Sequence, residues 1–68
     1  MYKVRIRFRF TFDEETQSIM GTSHVGCSEF SRENAIIKAW VNMADDEFTR
    51  NLILNTKKIE VIRIEDIP

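Results

Sequence analysis

The opening segment of the chain carries a regular row of cations, the basic stripe, made up of Lys3, Arg5, Arg7 and Arg9. Because these residues recur at every second position, they would share one side of a β-strand at a spacing of about 7 Å. That spacing is similar to the spacing of phosphates on a nucleic-acid strand, so RNA or DNA is one candidate ligand. An acidic protein partner is a second. In a third interpretation the cations pair within the protein, with Glu60 and Glu65 on a neighbouring strand and with Glu29.

Acidic residues dominate the middle of the chain. Residues 13–47 sum to −6, whereas residues 1–12 carry +4 and the remainder +1, which gives the net charge of −1. The run of Asp13, Glu14 and Glu15 could present a phosphate-like surface to a basic protein, and so could residues 45–47. Acids at turns and helix starts also have local structural roles, because they accept hydrogen bonds from free backbone N–H groups.

The pair His24 and Cys27 suggests a metal site or a nucleophile, but the pattern does not support either. Two ligands are too few for structural zinc, which takes four. On a strand the two side chains would point to opposite faces, so His24 could not activate the Cys27 thiol. The sequence also contains no Gly-rich phosphate loop, no Gly-x-Ser-x-Gly and no His-Glu-x-x-His. We therefore expect a structural cysteine, no enzymatic activity, no cofactor and no metal.

Length and composition predict a single domain, residues 1–68. A chain of 68 residues can build one hydrophobic core. Its single cysteine excludes an internal disulfide, and its charged, alternating start is unlike a secretory signal. No stretch approaches the roughly 18 apolar residues of a membrane span. We expect a cytoplasmic protein with no membrane partner.

The basic stripe alternates with apolar residues, which predicts the strand that positions it. These residues are Tyr2, Val4, Ile6, Phe8, Phe10 and Phe12. Strict alternation of this kind indicates one buried and one exposed face. After a polar break at 13–17, residues 18–27 predict a second strand and a β-hairpin. We predict a register that pairs Phe12 with Ile19, Phe10 with Gly21, Phe8 with Ser23, Ile6 with Val25 and Val4 with Cys27. That register leaves room for a helix above Gly21 and Ser23, and slipping by one would turn Thr22 and His24 inward.

A helix is predicted after Ser31, which is a favourable N-cap residue. Its apolar arc comprises Ile36, Ile37, Trp40, Val41, Met43, Ala44 and Phe48. We expect Trp40 to be the central core residue of this arc. The acids at 45–47 suit the start of a second helix better than the end of the first, so we predict a break there and a short helix ending near Asn55. An extended segment over 51–54 is the alternative.

The last strand is predicted over Lys58–Glu65, and its apolar residues change phase. Ile59 and Val61 point one way while Ile62 and Ile64 point the other, which indicates either a β-bulge or cover on both faces. Exposed aliphatic residues on an edge strand suggest a homodimer interface at Ile62 and Ile64. Cover by residues 52–54 is the competing interpretation.

Together these elements predict an α+β fold of β-β-α-β order. The sheet has three antiparallel strands in the order 2-1-3, with one main helix on one face. The leading hypothesis for function is a non-enzymatic protein-interaction module, a small regulator or inhibitor that uses its open sheet face, its strand edge or its acidic turns. The alternative is an RNA- or DNA-binding accessory protein that uses the basic stripe. Bases stack on aromatic side chains, and here every aromatic of the strand lies on the other face.

Overall fold

The protein is described by a computed structural model of residues 1–68. Its elements are β1 (Tyr2–Asp13), β2 (Ser18–Ser28), α1 (Arg32–Asp45), α2 (Glu47–Asn55) and β3 (Lys58–Asp66). The sheet has the order β2-β1-β3, and both pairings are antiparallel. The predicted α+β fold, strand order and second helix are therefore confirmed. We call the face that packs on the helices the helix-side face and the other one the open face.

The central strand β1 separates the two faces as its alternation predicts. Its core side chains are completely buried on the helix-side face: Val4, Ile6, Phe8 and Phe10. The cations between them lie on the open face, because neighbouring residues of a strand point to opposite sides. With backbone partners on both edges, β1 is also the strand that no other chain can extend.

The predicted hairpin register is wrong by one residue. Phe8 pairs with Thr22 and Val4 pairs with Gly26, and an irregularity between Thr11 and Asp13 takes up the difference. The physical reason is the approach of α1 to β2. A Cβ atom on Gly26 would stand 2.0 Å from the backbone oxygen of Ala35, whereas one on Gly21 would meet only the Phe8 backbone oxygen, at 3.6 Å. The close contact with the helix therefore requires Gly26.

Helix α1 buries a face made of small residues. Its N-cap is confirmed, because the Asn34 backbone N–H donates to Ser31 Oγ at 3.0 Å. The buried residues are Ala35, Ala39 and Met43. Trp40 is about 40% exposed and packs edge-on against Phe8 with ring centroids 4.8 Å apart, so the expectation of a tryptophan at the centre of the core is wrong. The predicted arc was rotated away from the face that α1 buries, so three of its large side chains are exposed, Ile37, Val41 and Phe48, while Ile36 is half-buried against the core.

The break between the helices lies at Asp46, which ends α1 and caps α2. Asp46 Oδ2 accepts hydrogen bonds from the Thr49 backbone N–H at 3.3 Å and from Thr49 Oγ1 at 2.6 Å. The hydrogen bond from the Thr49 side chain is the main reason that the pKa of Asp46 is lowered. Helix α2 continues through residues 51–54, so the extended alternative for that segment is wrong.

Strand β3 contains a β-bulge, which was one of the two predicted explanations for its change of phase. Arg7 pairs with Arg63 and the next residue, Phe8, pairs with Val61, which leaves Ile62 as the additional residue. Because of this bulge, Ile64 shares the helix-side face with Val61. Helix α1 packs on β2 and β1, and α2 packs on α1 and β1. The helix-side face of β3 is therefore left partly exposed, with Ile64 38% exposed, while Ile62 on the open face is 46% exposed.

Candidate functional site

The open face collects most of the positive charge of the chain. Two cations of β3 join the basic stripe there, Lys58 opposite Thr11 and Arg63 opposite Arg7. Two acids share the face, Glu60 opposite Arg9 and Glu65 opposite Arg5. The strand residues of this face, six cations and two acids, sum to +4, while the whole chain carries −1.

Part of the basic stripe is paired inside the protein, as one interpretation of the sequence proposed. Arg5 Nη1 donates to Glu65 Oε1 at 3.2 Å, and Arg9 Nη2 donates to Glu60 Oε1 at 3.0 Å. Glu29 takes no part in ion pairing with the stripe. Exposed pairs of this kind contribute roughly 0–1 kcal/mol, so they leave these guanidinium groups available to a ligand.

The centre of the open face holds two like charges directly opposite each other. Arg7 forms no ion pair, and its cross-strand partner Arg63 reaches only Glu65 Oε2, at 3.5 Å. Both residues line a depression of about 320 Å³ together with Arg5, Ser23 and Glu65. Like charges opposite each other destabilise a sheet. An anion placed between them would remove that repulsion and accept several charge-assisted hydrogen bonds.

Aliphatic side chains interrupt the charge on the same face. Ile19 and Val25 lie on β2 and are 57% and 37% exposed. Ile62, at the bulge, is 46% exposed and lines one depression of about 360 Å³ together with Arg7 and Ile19. The ring-bearing residues of β1 all lie on the helix-side face. The open face therefore offers guanidinium groups and aliphatic contacts, without a surface for stacking bases.

The first residue of the acidic run, Asp13, has a structural role in the turn of the hairpin. Asp13 Oδ1 accepts hydrogen bonds from the backbone N–H groups of Glu15, at 2.9 Å, and Thr16, at 3.4 Å. These bonds lower the pKa of Asp13, the one from Glu15 most. Glu14 and Glu15 are exposed and lie at the end of the open face, beside Lys58.

The structure separates several residues that sequence reasoning placed together. The predicted register would leave Thr22 and His24 on the open face beside the basic stripe. The actual register turns both to the helix-side face and places Ser23, Val25 and Cys27 beside the basic stripe instead. His24 Nε2 lies 3.1 Å from Thr22 Oγ1 and 3.4 Å from Thr49 Oγ1. Burial lowers the pKa of His24, and the nearby Asp46 carboxylate opposes this effect. No group of three His, Cys, Asp or Glu side chains is close enough to hold a metal ion.

The interface predicted at Ile62 and Ile64 does not form one surface, because the bulge directs the two side chains to different faces.

Sequence reasoning missed Lys58 and Arg63 as cations of the open face. The signal that could have found them was the bulge itself: once Ile62 is taken as the additional residue, Lys58, Glu60, Arg63 and Glu65 all fall on the open face.

No protein-family model, curated protein or solved structure matches this chain. Neither α1 nor α2 has the length and apolarity that a bilayer-spanning helix needs. The chemistry of the open face is therefore the guide to function.

Proposed function

We propose that the protein is a non-enzymatic protein-interaction module, a small regulator or inhibitor that binds an acidic segment of a partner protein on its open face. The observation that carries this proposal is Arg7 opposite Arg63, two exposed guanidinium groups of which the first has no acid partner. Their repulsion is a cost to the free protein. A carboxylate placed between them would convert that cost into binding energy.

The aliphatic side chains around the guanidinium groups favour a protein partner over a nucleic acid. Ile19, Val25 and Ile62 offer apolar contacts that suit a peptide containing both acidic and aliphatic residues. Single-stranded nucleic acids gain much of their affinity from stacking on aromatic rings. The basic stripe alone would suit phosphates as well, so nucleic acid is the outcome against which the proposal is tested.

The test uses a fluorescent peptide of alternating Glu and Leu, with binding followed by anisotropy at low salt. We expect binding with a micromolar Kd, and we expect Arg7→Glu to weaken it by about tenfold or more. Lys38→Glu is the matched control, because Lys38 is exposed on α1 and the substitution changes the charge by the same amount. Arg7→Glu should not unfold the protein, because the new carboxylate would face Arg63 and relieve the repulsion.

The same measurement with oligo-dT and oligo-U separates the two classes of partner. The proposal is wrong if the peptide does not bind, or if Lys38→Glu weakens its binding as much as Arg7→Glu does. It is also wrong if the oligonucleotides bind and the peptide does not, with an affinity that falls steeply as salt is added.

A further inference from the structure

The outer edge of β3 has backbone groups that nothing in the chain satisfies. β3 is bonded to β1 on one edge only. The Ile67 backbone N–H donates to the Lys3 carbonyl oxygen at 3.0 Å, so at this end of β3 the odd-numbered residues direct their backbone groups towards β1. The N–H and C=O of Ile64 and Asp66 therefore point away from the sheet. The opposite edge, on β2, is partly occupied, because Asn42 Nδ2 donates to the Val25 carbonyl oxygen at 2.7 Å.

A strip of apolar surface runs along the same edge on the helix-side face. Ile64 and Val61 are 38% and 40% exposed there. Trp40 lies on the side of α1 opposite Asn42, and its ring packs edge-on against Phe8 of β1, which pairs with Val61 of β3. We call Trp40, Val61 and Ile64 the uncovered strip. Apolar residues beside an unpaired strand edge are typical of a surface that another chain covers.

We infer that β3 pairs antiparallel with β3 of a second copy of this chain, with Ile64 on the two-fold axis. Ile64 would then face Ile64 of the second copy, and their outward N–H and C=O groups would form two reciprocal hydrogen bonds. On the open face Arg63 would lie opposite Glu65 of the second copy, twice by symmetry. Over residues 63–65 this register is self-complementary in backbone, apolar contact and charge, and one pair further out Asp66 meets the bulge residue Ile62.

Neighbouring registers lack that complementarity. A two-fold axis at Arg63 would set two arginines opposite each other, and an axis at Glu65 would set two glutamates opposite each other and place Ile64 against Asp66. Towards the start of β3 the bulge at Ile62 interrupts regular pairing. The pairing is therefore short, so the dimer should be weak and depend on concentration.

Pairing at Ile64 would produce a continuous six-stranded sheet with both helix layers on one side. The two uncovered strips would meet between the helix layers, and the two open faces would form one surface of twice the charge. The inference does not rest on the proposed function, because it uses the edge and the helix-side face of β3. A monomer could still bind the acidic peptide, and a dimer could still fail to bind it.

The first test is sedimentation equilibrium from about 1 μM to about 1 mM protein. We expect the average mass of the wild type to rise towards twice the monomer mass. Ile64→Lys should keep the protein monomeric over this range, because two ammonium groups would face each other across the axis. Ile19→Lys is the matched control, since it adds the same charge on exposed β2, and it should dimerise like the wild type. A wild type that stays monomeric, or Ile64→Lys that dimerises normally, overturns the inference.

The second test reports the register and does not require Ile64→Lys to fold. Residues of a hydrogen-bonded antiparallel pair have Cα atoms about 5.5 Å apart, within the range that a disulfide spans. In a Cys27→Ser background, Ile64→Cys should therefore form an intermolecular disulfide rapidly under mild oxidation. Val25→Cys, on the opposite edge of the sheet, is the control and should form one slowly. Equal rates for the two variants would contradict the proposed pairing.

Discussion

Strands β2 and β3 are both neighbours of β1, yet helix α1 packs closely on β2 and leaves β3 partly exposed. Helix α1 lies against the backbone of β2 at Gly26, and Asn42 and Thr49 form hydrogen bonds or polar contacts with residues of that strand. β3 is held by its backbone pairing with β1 and by exposed ion pairs. Packing is therefore concentrated in the β2 half, while the β3 half keeps side chains and an edge available for other molecules.

The cause of this asymmetry is the distribution of small residues. A helix can approach a sheet closely only where both surfaces lack bulk, and α1 presents Ala35 and Ala39 to Gly26. β3 carries Ile59, Val61 and Ile64 on the same face and offers no such place. One helix of 14 residues then covers two strands and leaves the third partly exposed.

The largest expected effect tests the close contact on the β2 side. Gly26→Ala would place a Cβ atom 2.3 Å from the Ala39 backbone nitrogen, so the helix would have to move away from the sheet. We expect a loss of about 4 kcal/mol or more in the free energy of unfolding, or no folded protein. Gly21→Ala is the matched control in the same strand and should stay within about 0.5 kcal/mol of wild type. Urea denaturation followed by the fluorescence of Trp40 measures both, and equal losses would contradict the packing.

An intermediate effect is expected where the helix break contacts β2. Thr49→Val keeps the shape of a fully buried side chain but removes the hydroxyl that donates to Asp46. We expect a loss of about 1–2 kcal/mol, because the cap of α2 is weakened. Val61→Thr makes a change of similar size on the exposed β3 side, and we expect it to cost less than about 0.5 kcal/mol. The same denaturation experiment compares them, and a larger loss for Val61→Thr would invert the contrast between the strands.

The smallest effect is a pH dependence that belongs to the β2 side. Burial lowers the pKa of His24 below its ordinary value of 6.5, so the unfolded chain binds this proton more readily than the folded protein. The contribution of neutral His24 is therefore complete above pH 6.5 and declines as the pH falls through 6.5 towards the folded pKa. His24→Gln should reduce the change in Tm between about pH 7.5 and about pH 5. An unchanged decline in the variant would show that other groups cause it.

Much of the fold follows from patterns that are local in the sequence. The alternation of Tyr2 to Phe12 specifies β1, Ser31 specifies the start of α1, and the acids around Asp46 specify the break before α2. Each of these signals reflects a period of side chains or a backbone group that needs a hydrogen-bond partner. The order of the strands followed from the length and apolarity of β1.

The hairpin register and the buried face of α1 could not be obtained in this way, because each depends on the other. Gly21 and Gly26 lie on opposite faces of β2, so from the sequence a helix could have packed closely on either face. Trp40 is the largest apolar residue of α1, but the helix packs Ala35 and Ala39 against Gly26 and leaves the indole partly exposed. The one-residue error in the hairpin register also placed His24 on the open face in the prediction.

The sheet order also has a consequence for how the chain assembles. β1 meets β2 across a short turn, whereas the ion pair between Arg5 and Glu65 joins residues 60 positions apart. The hairpin therefore closes a small loop, while the docking of β3 must overcome the entropy of closing nearly the whole chain. Until that step is complete, the most apolar strand has one unpaired edge and is open to capture by another chain.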